Sequence, residues 1–472
     1  MNKRDALATK GVGALILEFS IPSIVGMLAN GLYNVIDRVF VGQGVGSTAL
    51  AGVAITFPLT LLVMGVGMLF GHGASALISI KLGEGKVDDA RVTVGTATTL
   101  SFLTGLCFAA LIAIFMRPIL MFFGGEGEVL SYAMTFTKFY LPGIVLQITS
   151  FTLNNMIRGQ GDPITALLTM LVSSGINCVL NPLFIMGLRL GIAGSAIATD
   201  CAQLASCAWL IAVYLRTKTG VRLEARYLKP RPDMAKAFLG IGVAPFGMQV
   251  ATVITIILAN HLVLRTGGTA AMTVMGISTS LVNLLLMPII GLNQGVQPII
   301  GFNFGAKKYG RVKRAIKLSF IGALIICSGS YALFYAFTPQ IIGLFIRNDP
   351  EVLSLGVRGL RLFLASIPIV SVAVIGPGYF QSTRRGLIAL GINLARQLVF
   401  LVPLYLVLAH FFGLFGIWAA GPIADTLAVI LTLAVLVPSL RKLGADHTAT
   451  DTAETTVVAD AEAATSPSQA PA

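Results

Sequence analysis

Charge is scarce in this chain of 472 residues: only 11% are Asp, Glu, Lys or Arg, while 56% are hydrophobic. A soluble domain carries about 25% charged residues, so an ordinary cytosolic enzyme and a disordered chain are both excluded. Tryptophan is nearly absent, with two residues, whereas glycine contributes 51. That combination fits membrane helices, in which small residues let backbones pack closely. The five cysteines (Cys107, Cys178, Cys201, Cys207 and Cys327) fall in apolar runs with no CxxC or metal-ligand spacing. Free buried thiols are therefore expected, with no disulfide framework and no metal cluster. What charge there is leans basic, 33 Lys and Arg against 20 Asp and Glu, a balance also found in nucleic-acid binders. The placement of those residues argues otherwise.

A membrane helix needs about 20 mostly apolar residues. Twelve such runs can be marked, near 13–40, 50–80, 92–116, 129–157, 164–187, 190–214, 236–263, 270–302, 315–339, 355–380, 386–410 and 414–438. The short connections around Arg189 and Gly413 demand antiparallel neighbours. With the N-terminus inside, the inward loops collect Lys3, Arg4 and Lys10, then Lys81, Lys86 and Arg91, Arg158, the basic stretch from Arg216 to Lys236, Lys307 to Lys317, Arg384 with Arg385, and Arg441 with Lys442. The outward loops hold only Arg117, Arg189, Arg265 and Arg347. This bias predicts both termini in the cytoplasm. The basic surplus is thus topological: the partner is a lipid bilayer and no nucleic acid is expected. The first apolar run is too long for a signal peptide and reads as a retained span. The aromatic-free stretch at 441–472 is expected to be a disordered cytoplasmic tail.

Segments repeat at a nearly constant offset. GASALISIKLG at 73–83 aligns with GVQPIIGFNFG at 295–305, and Gly191 and Gly194 align with Gly413 and Gly416, both 222 residues apart. Pro22 and Pro245, and Pro182 and Pro403, keep nearly the same spacing. Four matches in order imply a duplication into two six-helix halves of equal orientation, a parallel repeat of the kind transporters use. The expected fold is an all-α polytopic membrane protein with twelve transmembrane helices in two pseudo-symmetric lobes, 1–220 and 221–440.

An ionised carboxylate at mid-membrane costs at least about 2.5–3.5 kcal/mol on insertion scales, so it needs a partner or a task. On the first helix Asn30, Asn34 and Asp37 share one face by their i, i+4, i+7 spacing. On the fifth, Ser174, Asn177 and Asn181 do the same. A polar pocket in the first half follows as one reading; asparagines bonding between helices, with Asp37 at the outer interface, is the other. Asp200 on the sixth helix lies near the midplane, beside Thr199 and one turn from Gln203. It suits either proton chemistry or packing against a neighbouring hydroxyl. In the second half Arg396 and Asp425 both reach the midplane on adjacent helices and are expected to form a structural ion pair. Asn260, the repeat partner of Asp37, is uncharged. The lone histidines His72 and His261 are expected at helix contacts.

The stretches NVIDRVFVG at 34–42, RGQGD at 158–162, NCVLNP at 177–182, GIAGSAIAT at 191–199, GVQPIIGFNFGA at 295–306, RQLVFLVP at 396–403 and GLFGIWAAGPIAD at 413–425 span both halves. In order and spacing they resemble the multidrug and toxic compound extrusion (MATE) family, most closely its DinF/MepA-like bacterial branch. The resemblance implies an exporter of amphipathic organic cations in a bacterial cytoplasmic (inner) membrane, working by alternating access without a cofactor. Its coupling ion would be H+ or Na+. The family's first-lobe cation or proton site maps onto Asp37, Asn177 and Thr199. A carboxylate often found there falls on Asn181, and Asp200, where the family usually has an apolar residue, is a candidate for the missing charge. Protonation of Asp37 is expected to release hydrogen bonds to Asn177 or Asn34. Asn30, Asn34, Gln203, Gln249 and Asn260 are the candidates for lining the drug cavity, and a monomer is expected.

Three alternatives compete with this reading. Sodium held by Asp37, Asn177, Asn181 and Thr199 would replace the proton. A lipid-linked oligosaccharide flippase of the same superfamily would want several cavity cations, for which only Arg396, Lys138, Arg358 and Arg361 are placed. An intramembrane enzyme lacks its motifs: there is no HExxH, and the adjacent Asp88–Asp89 pair fits a helix N-terminus.

Overall fold

A computed structural model describes residues 7–216, 221–345 and 350–443. The expected tail beyond 443, Lys218 and Arg347 lie outside the described residues. The described chain is helical, and its first half forms six spans: α1 (Val12–Gly44), α2 (Ser47–Gly83), α3 (Val87–Phe122), α4 (Gly127–Gly159), α5 (Pro163–Pro182, continued by a π-helical turn at Leu183–Gly187) and α6 (Ile192–Arg216). In the second half, α7 (Pro232–Gly268) and α8 (Ala270–Gly305) are followed by α9 (Tyr309–Ala336). A short helix, Thr338–Phe345, leads to α10, a bent span of Pro350–Leu364 and Ile367–Ser382 whose parts meet at 43°. The last helical run, Gly386–Lys442, is 57 residues long, nearly three times the roughly 20 residues that cross a bilayer. Gly413 breaks it at φ 56°, giving α11 (386–412) and α12 (414–442). The sum is the twelve-helix, two-lobe architecture that the sequence predicts.

The helices are longer than the apolar runs. At about 1.5 Å per residue the 37 residues of α2 far exceed a hydrocarbon core of about 30 Å, so its ends project beyond it. Large apolar side chains such as Leu17, Ile114, Phe122, Leu387 and Phe411 are more than half exposed, an arrangement suited to lipid and not to water. His261 is among the exposed residues, not at a helix contact, whereas His72 is buried and stacks on Phe151.

The duplication is visible in the backbone itself. Three pairs of residues 222 apart all adopt positive φ: Gly46 (118°) with Gly268 (63°), Gly85 (77°) with Lys307 (57°), and Gly191 (58°) with Gly413 (56°). Each pair closes the same inter-helix turn in its own lobe. The left-handed region is costly for residues with a Cβ, so Lys307 holds a turn that glycine makes freely in the other lobe.

The lobes meet along a seam built by glycine. A Cβ on Gly83 would collide with the Phe302 carbonyl, and one on Gly305 with the Ile80 carbonyl. Because Ile80 and Phe302 are also 222 apart, these two contacts are one contact seen from either side of a pseudo-twofold axis. Gly73 meets the backbone of Phe238 and Gly242, and Gly295 that of Phe19 and Ser20; Ser20 and Gly242 are again 222 apart. At the end of the seam Arg384 pairs with Glu84 at 2.6 Å, and Arg311 donates to the carbonyls of Leu7 and Lys10. Among the described residues this end carries cations of both halves, including Lys81, Lys86, Lys308, Arg311 and Arg384.

Candidate functional site

The polar site of the first lobe is assembled by helical periodicity on three helices. Residues four apart on a helix lie on one face, so α5 presents Asn177 and Asn181 together and α6 presents Ser195 and Thr199 together. Asp162 fixes the start of α5: its carboxylate accepts from the Thr165 N–H at 3.2 Å and from the Thr165 hydroxyl at 2.8 Å, with Pro163 in the first turn. Gly191 turns the chain sharply between α5 and α6, which sets their two faces against each other.

Asp37, half-buried on α1, accepts hydrogen bonds from Asn181 Nδ2 and, at 3.0 Å, from Ser195 Oγ. One turn along, Asn177 Nδ2 donates to Thr199 Oγ1 at 3.2 Å. Asn181 Nδ2 also lies 3.5 Å from Asn177 Oδ1 and so links the two rungs. Asn177, Asn181 and Ser195 are buried. Asn181 Oδ1 is buried without a partner, an acceptor beside the carboxylate.

Of the partners expected for Asp37, this geometry corrects Asn177. The carboxylate is held by Asn181 and Ser195, and Asn177 is one step removed because it lies a helical turn away along α5. The side chain of Asn34 lies outside the described residues. Ser195 was missed by the sequence reading although it stands in GIAGSAIAT; its spacing of four from Thr199 is the signal that would have found it.

Asp200 does not join this network. Adjacent helical residues point about 100° apart, so while Thr199 faces α5, Asp200 turns toward α4. There a Cβ on Gly143 would collide with its carboxylate, and its Oδ1 is buried without a partner. Gln203 and Asn30 are half-buried and Asn260 is exposed, whereas Gln249 packs against Gly65 of α2 between the halves.

In the second lobe Arg396 Nε donates to Asp425 Oδ1 at 2.7 Å, and Ser366 Oγ donates to Asp425 Oδ2 at 2.7 Å. Arg158 is also not where the sequence placed it: it is a buried residue of α4, 4% exposed, and not a loop cation. An open cavity of about 480 Å³ lined by Val45, Glu128, Tyr132 and Arg189 contains none of the candidate residues. Among the described residues no group of His, Cys, Asp or Glu is arranged to hold a metal ion.

Comparison with known proteins places this architecture. The MatE family model matches residues 22–183 and 241–407. A protein named multidrug export protein MepA from Staphylococcus haemolyticus is 28% identical over 431 residues, covering 91% of this chain and 94% of its own. One of the same name from Staphylococcus aureus is 26% identical over 421 residues, covering 89% and 92%. The crystal structure of a MATE protein in complex with MaL6 superposes with a TM-score of 0.88 at 24% identity, covering 94% of this chain and 99% of the other. An outward-facing multidrug resistance MATE family transporter gives 0.85 at 24% identity, covering 93% and 98%.

Proposed function

The chain belongs to the MATE family of membrane transporters, and on that premise we propose that it is a proton-coupled antiporter exporting amphipathic organic cations by alternating access. The observation that carries the reading is the Asp37 carboxylate, which accepts hydrogen bonds from Asn181 and Ser195 on two other helices. In its ionised form Asp37 accepts from Asn181 and Ser195 and ties α1 to α5 and α6. A proton added to it removes the charge that strengthens both bonds, and α1 is released. A cationic substrate favours the ionised carboxylate, so proton and drug oppose one another by linkage.

Asp200 is a second titratable group on the same lobe, separate from the Asp37 network. The orientation with both termini in the cytoplasm rests on the basic end described above, and one chain, holding both lobes, is the transporting unit. The flippase reading is weakened by the cations it needs: Arg396 is engaged by Asp425, and Lys138, Arg358 and Arg361 are exposed.

The test is drug transport by purified protein in liposomes under an imposed pH or sodium gradient. A pH gradient should drive export and Asp37→Asn should abolish it. Export driven by sodium alone, or retained in Asp37→Asn, contradicts the proton reading.

A further inference from the structure

Arg158 is a buried cation whose described partners are all neutral. Its guanidinium donates to Asn154 Oδ1 at 3.0 Å, Asn155 Oδ1 at 3.4 Å and Gln294 Oε1, and touches the Met170 sulfur at 3.9 Å. Its Nε, although buried, has no partner. Arginine stays charged in proteins, and a buried charge without a counter-charge is costly.

Of these partners Gln294 alone comes from the other lobe. It sits on α8 next to Gly295, which packs on the α1 backbone across the seam. The repeat pairs Gln294 with His72, which adjoins the seam glycine Gly73 and whose Nε2 is buried without a partner. The bond from Arg158 to Gln294 therefore exists only while the lobes are in contact here. If they part, water reaches the guanidinium and supplies what the seam withholds. Two effects oppose: glycine-mediated packing favours the closed seam, and the uncompensated charge of Arg158 favours the open one.

We propose that Arg158 and Gln294 form an inter-lobe latch, positioning residues that keep closure of the basic end reversible because the latch lacks a carboxylate. The inference rests on alternating access, so its test must separate the two. Gln294→Glu gives Arg158 its missing counter-charge, and Gln294→Leu removes a neutral partner without adding one. Each is made in a background carrying Ser79→Cys, a position buried in the seam beside Gly301. Labelling of the introduced thiol by a water-soluble maleimide, measured against the same protein without the Ser79→Cys change, then reports opening.

Gln294→Glu should slow labelling and transport about tenfold or more, the scale of one charge-assisted hydrogen bond, with drug affinity retained. Gln294→Leu should speed labelling. Unchanged labelling in both variants, with the parent labelled normally, overturns the latch alone. A parent that is never labelled at any pH or drug concentration overturns alternating access at this seam, and the latch with it.

Discussion

Ser195 on α6 reaches Asp37 on α1 at 3.0 Å and is one of two donors from different helices, among the described contacts, that hold the carboxylate. A hydrogen bond to a charged group is worth about 1.5–3 kcal/mol. Ser195→Ala should therefore lower pH-driven transport in liposomes by about tenfold or more. Ser195→Thr, which keeps the hydroxyl, should retain most of it. Equal activity in Ser195→Ala and the parent protein would remove Ser195 from the site.

Arg396 and Asp425 test a different property, the cost of splitting a partly buried ion pair. Their side chains are 27% and 10% exposed, and removing one partner strands the other. Asp425→Leu alone should destabilise the protein by up to about 3 kcal/mol, whereas Arg396→Met with Asp425→Leu should come close to the parent. Thermal unfolding in detergent reads both. A double variant that is stable and still transports assigns the pair a structural role; one that is stable but inactive assigns it to transport.

The seam glycines make a steric prediction. Gly305→Ala would drive a methyl onto the Ile80 carbonyl, and because the obstacle is backbone the helices must separate, at a cost of about 1–3 kcal/mol. Gly240, on α7, has open space around it; Ala there should be tolerated or stabilising by up to about 1 kcal/mol. Melting temperatures that fail to separate the two variants would contradict this seam.

Glu84 links the lobes at the basic end and gives stability a pH dependence. Partial burial raises its carboxyl, but Arg384 and Lys81 outweigh that and hold it below the ordinary carboxylate range. Since its folded value is depressed, the unfolded chain takes up the proton first as pH falls. The stabilisation is present above the ordinary carboxylate range and is lost as pH falls through the depressed value. Melting of the parent should decline across that interval more steeply than melting of Glu84→Gln; identical slopes would show the pair to be inert.

Much of the fold was legible because its signals are local. Hydropathy marks a span without reference to any other, and the 222-residue repeat is a property of the string; the paired turns at Gly191 and Gly413 carry it into the backbone. Asp37, Asn177 and Asn181 were likewise legible, since helical period and motif both select them, and Thr199 by motif alone. Ser195 was within reach of the same period. Arg158 was not, because its neighbours in the chain read as a loop start and its burial depends on the other lobe.

The sequence by itself determined a membrane protein of twelve helices in two repeated lobes, with only a few acids inside the spans, because composition and period are read one segment at a time. Only the tertiary structure decided which donors reach Asp37, that Asp200 turns away toward Gly143, and that Arg158 lies in the seam against Gln294. Those relations depend on the rotation and depth of each helix against its neighbours. Packing between segments far apart in the chain sets both.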